Sequence, residues 1–213
     1  MEILKEETLD NVKYTYATDW INNLEKKEHW LLYREQQSIL REFVKKGDNV
    51  LEIGPGTGFC CNYLRGKGIK VTTLDIDKDK NPDIHANVVT FTPEQQYDHI
   101  LAFEIFEHIP FDKCIEAMQR LKQFCKNLVI SIPFNEVRLI EANISLPIIK
   151  NISFGIYLPK HKITERNHFW EVNSGKHTEK RVLADFTSLG YKLKTRKKFQ
   201  SRLFLVLNNE DFK

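Results

Sequence analysis

Val50–Gly58 reads VLEIGPGTG, and its two halves place opposite demands on the chain. Val50, Leu51 and Ile53 form a nearly continuous apolar run, the pattern of a strand covered on both faces in a parallel sheet flanked by helices. Gly54, Gly56 and Gly58 then let the backbone turn sharply and come close to a ligand without a Cβ in the way. A helix starting at this turn points its free N–H groups back at it. Strand, glycine turn and helix N-terminus together make a nucleotide-type binding site. A dinucleotide turn, G-x-G-x-x-G, would need glycine three residues after Gly56, where Phe59 stands.

Outward from this turn, a second strand over Lys70–Leu74 ends in Asp75, and an acid at that tip can accept hydrogen bonds from both ribose hydroxyls of an adenosine. Farther on, Tyr97–Phe106 (YDHILAFEIF) is an apolar strand followed by Glu107, His108, Ile109 and Pro110. Taken in order, LEIGPGTG, Asp75 and FEIFEHIP resemble the motifs of the class I S-adenosylmethionine-dependent methyltransferases (type 11/12-like domain). The resemblance runs from about Asp48 to Leu207; it is carried by motifs as far as Pro133 and by topology after it. It implies an α/β fold with a Rossmann-like, seven-stranded, mostly parallel sheet in the order 3-2-1-4-5-7-6. Helices cover both faces, a helical lead-in precedes the sheet, and an insertion follows strand 5. A single methyltransferase domain over 1–213 is expected, divided into the lead-in (1–47), a cofactor-binding core (48–133), a substrate-recognition insertion (134–177) and a C-terminal helix and hairpin (178–213).

The same resemblance implies S-adenosyl-L-methionine as cofactor and S-adenosyl-L-homocysteine as product. The backbone of Gly54, Gly56 and Gly58 would hold the methionine end, with Glu52 near its amino group and Asp75 on the ribose. Ile76, Asn87 and Val88 would flank the adenine, and Glu104 would touch the cofactor. Asn87 stands where the family usually carries aspartate, and its side chain keeps a carbonyl acceptor for the adenine amino group.

The rest of the chain fits around this core. Trp20–Val44 carries apolar residues mostly at helical spacing, with Asp19 available as a cap; the preceding Tyr14 and Tyr16, with Trp20, either cover the sheet or fold over the cofactor as a lid. A helix over Gly58–Arg65 ends at Gly66, and Asp112 caps a helix with Cys114, Met118, Leu121 and Cys125 on one face. A fifth strand, Leu128–Ile132, ends at Pro133. Phe134–Lys176 loosens into the insertion, with aromatic residues Phe154, Tyr157, Phe169 and Trp170. Thr178 caps a last helix closed by Gly190, and Tyr191–Phe199 and Arg202–Leu207 form the closing hairpin.

With 213 residues, 41% hydrophobic and 29% charged, the composition is that of an ordinary globular protein, and a net charge of +3 does not by itself call for a nucleic-acid partner. No apolar run reaches membrane-span length, the N-terminus MEILKEETLD lacks the pattern of a signal peptide, and a cytoplasmic protein without a membrane partner is expected. Cys60, Cys61, Cys114 and Cys125 have no metal-site spacing and read as buried thiols. Lys192, Lys194 and Arg196 alternate with Leu193 and Thr195, as on the wet face of a half-buried strand, the competing reading being a phosphate-binding patch continued by Lys197 and Lys198.

For catalysis, His108 and His168 are the candidate general bases, with His161 a third, because neutral imidazole works near physiological pH. His168 is favoured because NHFWE lies in the insertion expected over the carboxyl ends of the strands, where open α/β sheets bind ligands. The expected site is metal-free. The alternative set is Glu104, Glu107 and His108, an E-x-x-E-H arrangement that resembles the magnesium site of ubiquinone-pathway and small-RNA methyltransferases, where a later histidine can complete the set. The expected activity is methyl transfer to a small molecule, at oxygen. RNA methylation and non-catalytic cofactor binding are the alternatives, and the oligomeric state is not read.

Overall fold

The computed structural model describes residues 5–9, 12–16, 26–144, 152–160, 162–163 and 167–212. The elements are, in chain order, β1 (Lys5–Leu9), β2 (Val12–Tyr16), α1 (Lys27–Leu40), β3 (Asn49–Ile53), α2 (Phe59–Gly66), β4 (Lys70–Asp75), β5 (Ile84–His85), β6 (Tyr97–Phe103), α3 (Phe111–Lys122), β7 (Cys125–Pro133), β8 (Glu136–Ile144), β9 (Ile152–Pro159), α4 (Glu179–Ser188), β10 (Lys192–Phe199) and β11 (Arg202–Asn208). Seven strands make the main sheet in the order β5-β4-β3-β6-β7-β11-β10. Counted along the chain within that sheet, this is the expected 3-2-1-4-5-7-6. β3, β4, β5, β6 and β7 run parallel, while β11 is antiparallel to both β7 and β10.

The apolar run of β3 is buried on both sides, and its alternation sorts residues into two layers. Val50 packs with Ile39, Leu40, Cys60 and Leu64 beneath α1 and α2. Leu51 and Ile53 join Cys114, Met118, Leu121, Trp170 and Phe186 beneath α3 and α4. α3 earns its place through Cys114, Ala117, Met118 and Leu121, four fully buried residues on one helical stripe. All four cysteines are buried and none forms a disulfide.

Several local expectations change. Gly66 lies inside α2; the left-handed position that stops the helix belongs to Gly68, at φ +78°, whose N–H bonds the Arg65 carbonyl. Pro110 occupies the N-cap of α3, Asp112 sits within its first turn, and Cys125 opens β7 instead of extending the helix. Thr178 does cap α4, accepting the Arg181 N–H, and Gly190 follows at φ +86°. The lead-in is helical over α1, and the antiparallel hairpin β1–β2 comes before it. Asp19, Trp20 and His161 lie outside the described residues, and for Tyr14 and Tyr16 only the strand is described. The insertion builds its own antiparallel hairpin, β8–β9.

Candidate active site

Three parallel strand ends converge at the glycine turn. The Gly54 N–H bonds the Leu74 carbonyl, which sets the turn beside Asp75 at the tip of β4. On its other side stands the exit of β6: a Cβ built on Gly54 would lie 2.0 Å from Ile105 Cδ1, and Gly54 already has φ +69°. Gly56 (φ +55°) has open space where its Cβ would be, and Gly58 (φ +77°) is the N-cap of α2. A left-handed backbone at three alternate positions explains the glycines. α1 reaches the turn with Tyr33, whose hydroxyl is 3.1 Å from Thr57 Oγ1 and whose ring stacks on Phe59 at 4.6 Å.

The acids around the turn differ in character. Glu52 is buried, with Oε2 lacking a hydrogen-bond partner, and burial pushes its pKa up to about 8 despite a hydrogen bond from Cys60 and the charge of Arg65. Asp75 accepts the Asp77 N–H at 2.8 Å and pairs with Lys80 at 3.1 Å. Ile76 is half-buried, and its carbonyl accepts a hydrogen bond from His85. Asn87 is buried and turns its Oδ1 onto the Val89 N–H at 2.9 Å, beside buried Val88.

Glu104 ends β6 in a left-handed conformation, φ +56°, that costs a β-carbon-bearing residue strain. Its carboxylate is held by Ser131 Oγ at 2.7 Å and by the Arg202 guanidinium. The chain then makes a 3-10 turn over Phe106–His108. On this turn the NHFWE segment is clasped at three points: Phe169 N–H donates to the Glu107 carbonyl (2.8 Å), Trp170 Nε1–H to the Phe106 carbonyl (3.0 Å), and His108 Nδ1–H to the Asn167 carbonyl (3.1 Å). Trp170 is core, whereas Phe169 is exposed.

This clasp brings His108 and His168 together, edge to face, with ring centroids 4.9 Å apart. His168 Nδ1–H donates to Glu171 Oε1 at 2.8 Å, and Asn135 Nδ2–H donates to the other Glu171 oxygen at 2.5 Å. Burial works against the Glu171 charge, but the His168 and Asn135 hydrogen bonds outweigh it and hold this carboxyl below its ordinary range. His108 lies at the surface, yet desolvation first, and His168 second, lower its pKa to about 4. Glu107 is fully buried and neither carboxylate oxygen has a hydrogen-bond partner; burial and then the Glu104 charge push its pKa well up. Ligand atoms of Glu107, His108 and His168 all lie within 4.8 Å of one another, a grouping able to hold a metal ion.

Reading along the chain pairs Glu104 with Glu107 and His108, but Glu104 is engaged by Arg202 and Ser131, and His168 takes its place in the close group. Glu171, Asn135 and Arg202 join these residues from outside the sequence motifs. Glu171 carried a signal, standing three residues after His168; Arg202 did not, since only the pairing of β11 with β7, which sets Arg202 opposite Pro133, brings it there. On β10 the five cations pair with four carboxylates: Lys192 and Lys194 share Glu210, Arg196 pairs with Glu179, Lys197 with Glu35 and Lys198 with Glu136.

A family model described as a methyltransferase domain matches residues 27–180. A comparison with curated proteins gives no match. Among solved structures, a SAM-dependent methyltransferase from Aquifex aeolicus is 16% identical with a TM-score of 0.63, over 91% of this chain and 99% of its own. The 1,6-didemethyltoxoflavin-N1-methyltransferase of Burkholderia thailandensis, solved with 1,6-didemethyltoxoflavin and S-adenosylhomocysteine, is 13% identical with a TM-score of 0.60, over 90% and 86%. The small RNA methyltransferase HEN1 is 13% identical with a TM-score of 0.59, over 85% of this chain and 25% of its own.

Proposed function

The chain belongs to the methyltransferase-domain family, and from that premise we propose that it transfers the methyl group of S-adenosyl-L-methionine to a hydroxyl of a small-molecule acceptor. The observation that carries the oxygen acceptor is the His168–Glu171 pair, set beside neutral His108 at the exit of β6. The donor site fits its ligand by two features: an open, left-handed glycine turn, and a buried Glu52 oxygen with no partner, which suits a cationic amino group. Glu52, Gly54, Gly56, Gly58, Asp75, Ile76, Asn87, Val88 and Glu104 are its proposed residues. Bound there, S-adenosyl-L-methionine supplies a sulfonium methyl for in-line displacement and leaves as S-adenosyl-L-homocysteine.

His168 has its Nδ1–H committed to Glu171, so its Nε2 lone pair is the one left to accept the acceptor's hydroxyl proton. Glu171 then stabilises the imidazolium, and Asn135 keeps Glu171 in place. Alignment of the acceptor supplies the rest of the rate. A small acceptor is favoured because the cations of β10 are already paired with carboxylates, and because the toxoflavin enzyme of similar fold was solved with a small heterocycle.

A second reading places a divalent cation on Glu107, His108 and His168, with Glu104 beside them. It is favoured by the two unpartnered oxygens of buried Glu107, and by the backing of His168 by a carboxylate, as metal-binding histidines commonly are. Such an ion would orient and acidify the acceptor hydroxyl.

Calorimetry with S-adenosyl-L-homocysteine tests the donor, and absence of binding overturns it. Against a panel of hydroxyl acceptors, His168→Ala should lower turnover by about 10²–10⁴ with cofactor affinity unchanged, and undiminished turnover removes the base. Magnesium should raise the thermal midpoint of EDTA-treated protein and have no effect on Glu107→Gln. If the midpoint stays put in the parent protein, the cation reading is lost.

A further inference from the structure

Asp75, at the tip of β4, is the acid whose oxygens a ribose would need, and both oxygens are engaged within the protein. Oδ1 accepts the Asp77 N–H at 2.8 Å, and Oδ2 accepts Lys80 Nζ at 3.1 Å. The pair is well covered: the Asp75 side chain is 4% exposed and that of Lys80 13%. Lys80 reaches back from a 3-10 turn, Lys78–Lys80, whose backbone is fixed at both ends. Asp77 caps this turn by accepting the Asp79 N–H at 2.9 Å, and Asn81 closes it at φ +50°, its N–H bonded to the Lys78 carbonyl at 2.9 Å. The Lys80 charge is also felt by His108 at the exit of β6, which puts the ammonium within electrostatic reach of the site.

The chemistry of the two partners makes this contact a competitor of the ribose. A ribose hydroxyl binds such a carboxylate by donating its proton, whereas an ammonium has three donors and no acceptor, so both seek the same lone pairs. Each carboxylate oxygen has two lone-pair sites, but at 4% exposure a hydroxyl reaches them only when a covering group moves. Of the two groups bonded to this carboxylate, the Asp77 N–H belongs to the main chain, while the Lys80 ammonium rides on a flexible four-carbon stem. The pair also has a reason to form, since a carboxylate this covered is costly without a cation beside it. Donor binding is then a partner exchange at Oδ2. Its apparent affinity scales with the fraction of molecules in which Lys80 has left Asp75.

We propose that Lys80 is a strap across the ribose subsite, seated on Asp75 Oδ2 and displaced by the ribose of the methyl donor. This rests on the donor reading given above. The test is titration calorimetry of S-adenosyl-L-homocysteine with the parent protein, Lys80→Met and Lys80→Arg. Lys80→Met keeps an unbranched stem and removes the charge, and it should bind about fivefold more tightly than the parent. Lys80→Arg offers the same carboxylate a forked, stronger partner and should bind more weakly than the parent. A lysine that only supports the fold, or that donates to the ribose itself, gives the opposite sign in Lys80→Met. A parent that binds no S-adenosyl-L-homocysteine removes the donor reading and the strap with it. A parent that binds, with Lys80→Met equal or weaker, overturns the strap alone. If Lys80→Met does not fold, Lys80→Arg decides, because it retains the ion pair: an affinity equal to the parent's or higher overturns the strap.

Discussion

Glu52 couples the fold to pH in a definite direction. Its folded pKa, about 8, lies above the ordinary carboxyl value of 4.5, so the protonated acid is the form that the fold favours. Stability from this group is full below pH 4.5 and is lost as the pH rises to 8, by at most about 1.4 kcal/mol per unit. Thermal unfolding of Glu52→Gln should show a flatter profile over that window. Affinity for S-adenosyl-L-homocysteine should move the other way, rising toward pH 8 by at most about tenfold per unit as the carboxylate forms opposite the ligand's ammonium. Titration calorimetry at several pH values checks this, and a pH-independent affinity would separate Glu52 from the amino group. Gly54 is the tighter steric point: in Gly54→Ala, a Cβ 2.0 Å from Ile105 and a left-handed backbone should together cost about 2–4 kcal/mol, lowering the thermal midpoint by about 2–4 °C for each.

Elements differ in how far they could be read from the chain. β3, β4 and β6 were legible because each is a local apolar run ending in a residue with a chemical reason to be there: a glycine, Asp75 or Glu104. α4 was legible because Thr178 and Gly190 mark its two ends. The helix ends at Gly66 and Asp112 were misplaced by one or two residues, because Gly68 and Pro110 satisfy the same backbone requirements from neighbouring positions. The hairpin β8–β9 was missed because its apolar parity is interrupted by a bulge. The clasp of Asn167–Trp170 on Phe106–His108 joins segments about sixty residues apart, which no local pattern encodes. At this scale Lys198 is the hinge pin of the hairpin. Lys198→Ala should speed amide exchange over 136–159 while lowering global stability by no more than about 1–2 kcal/mol. Exchange unchanged from the parent would show that the hairpin is held by its backbone alone.

Across the whole molecule, the charges of β10 are spent on neighbouring carboxylates, and the net charge is only +3. Single-stranded RNA should therefore bind no more tightly than the non-specific range of about 10⁻⁴–10⁻⁶ M at physiological salt. Fluorescence anisotropy measures it, and a submicromolar, steeply salt-dependent affinity would restore RNA as the acceptor. The sheet separates two apolar layers, and three of the four buried cysteines are divided between them: Cys60 of α2 packs in one, Cys114 of α3 and Cys125 of β7 in the other. Each thiol can meet an alkylating reagent only when its own layer opens. The molecule thus carries a built-in clock on either side of its sheet, and mass spectrometry of timed iodoacetamide labelling would tell which layer parts first.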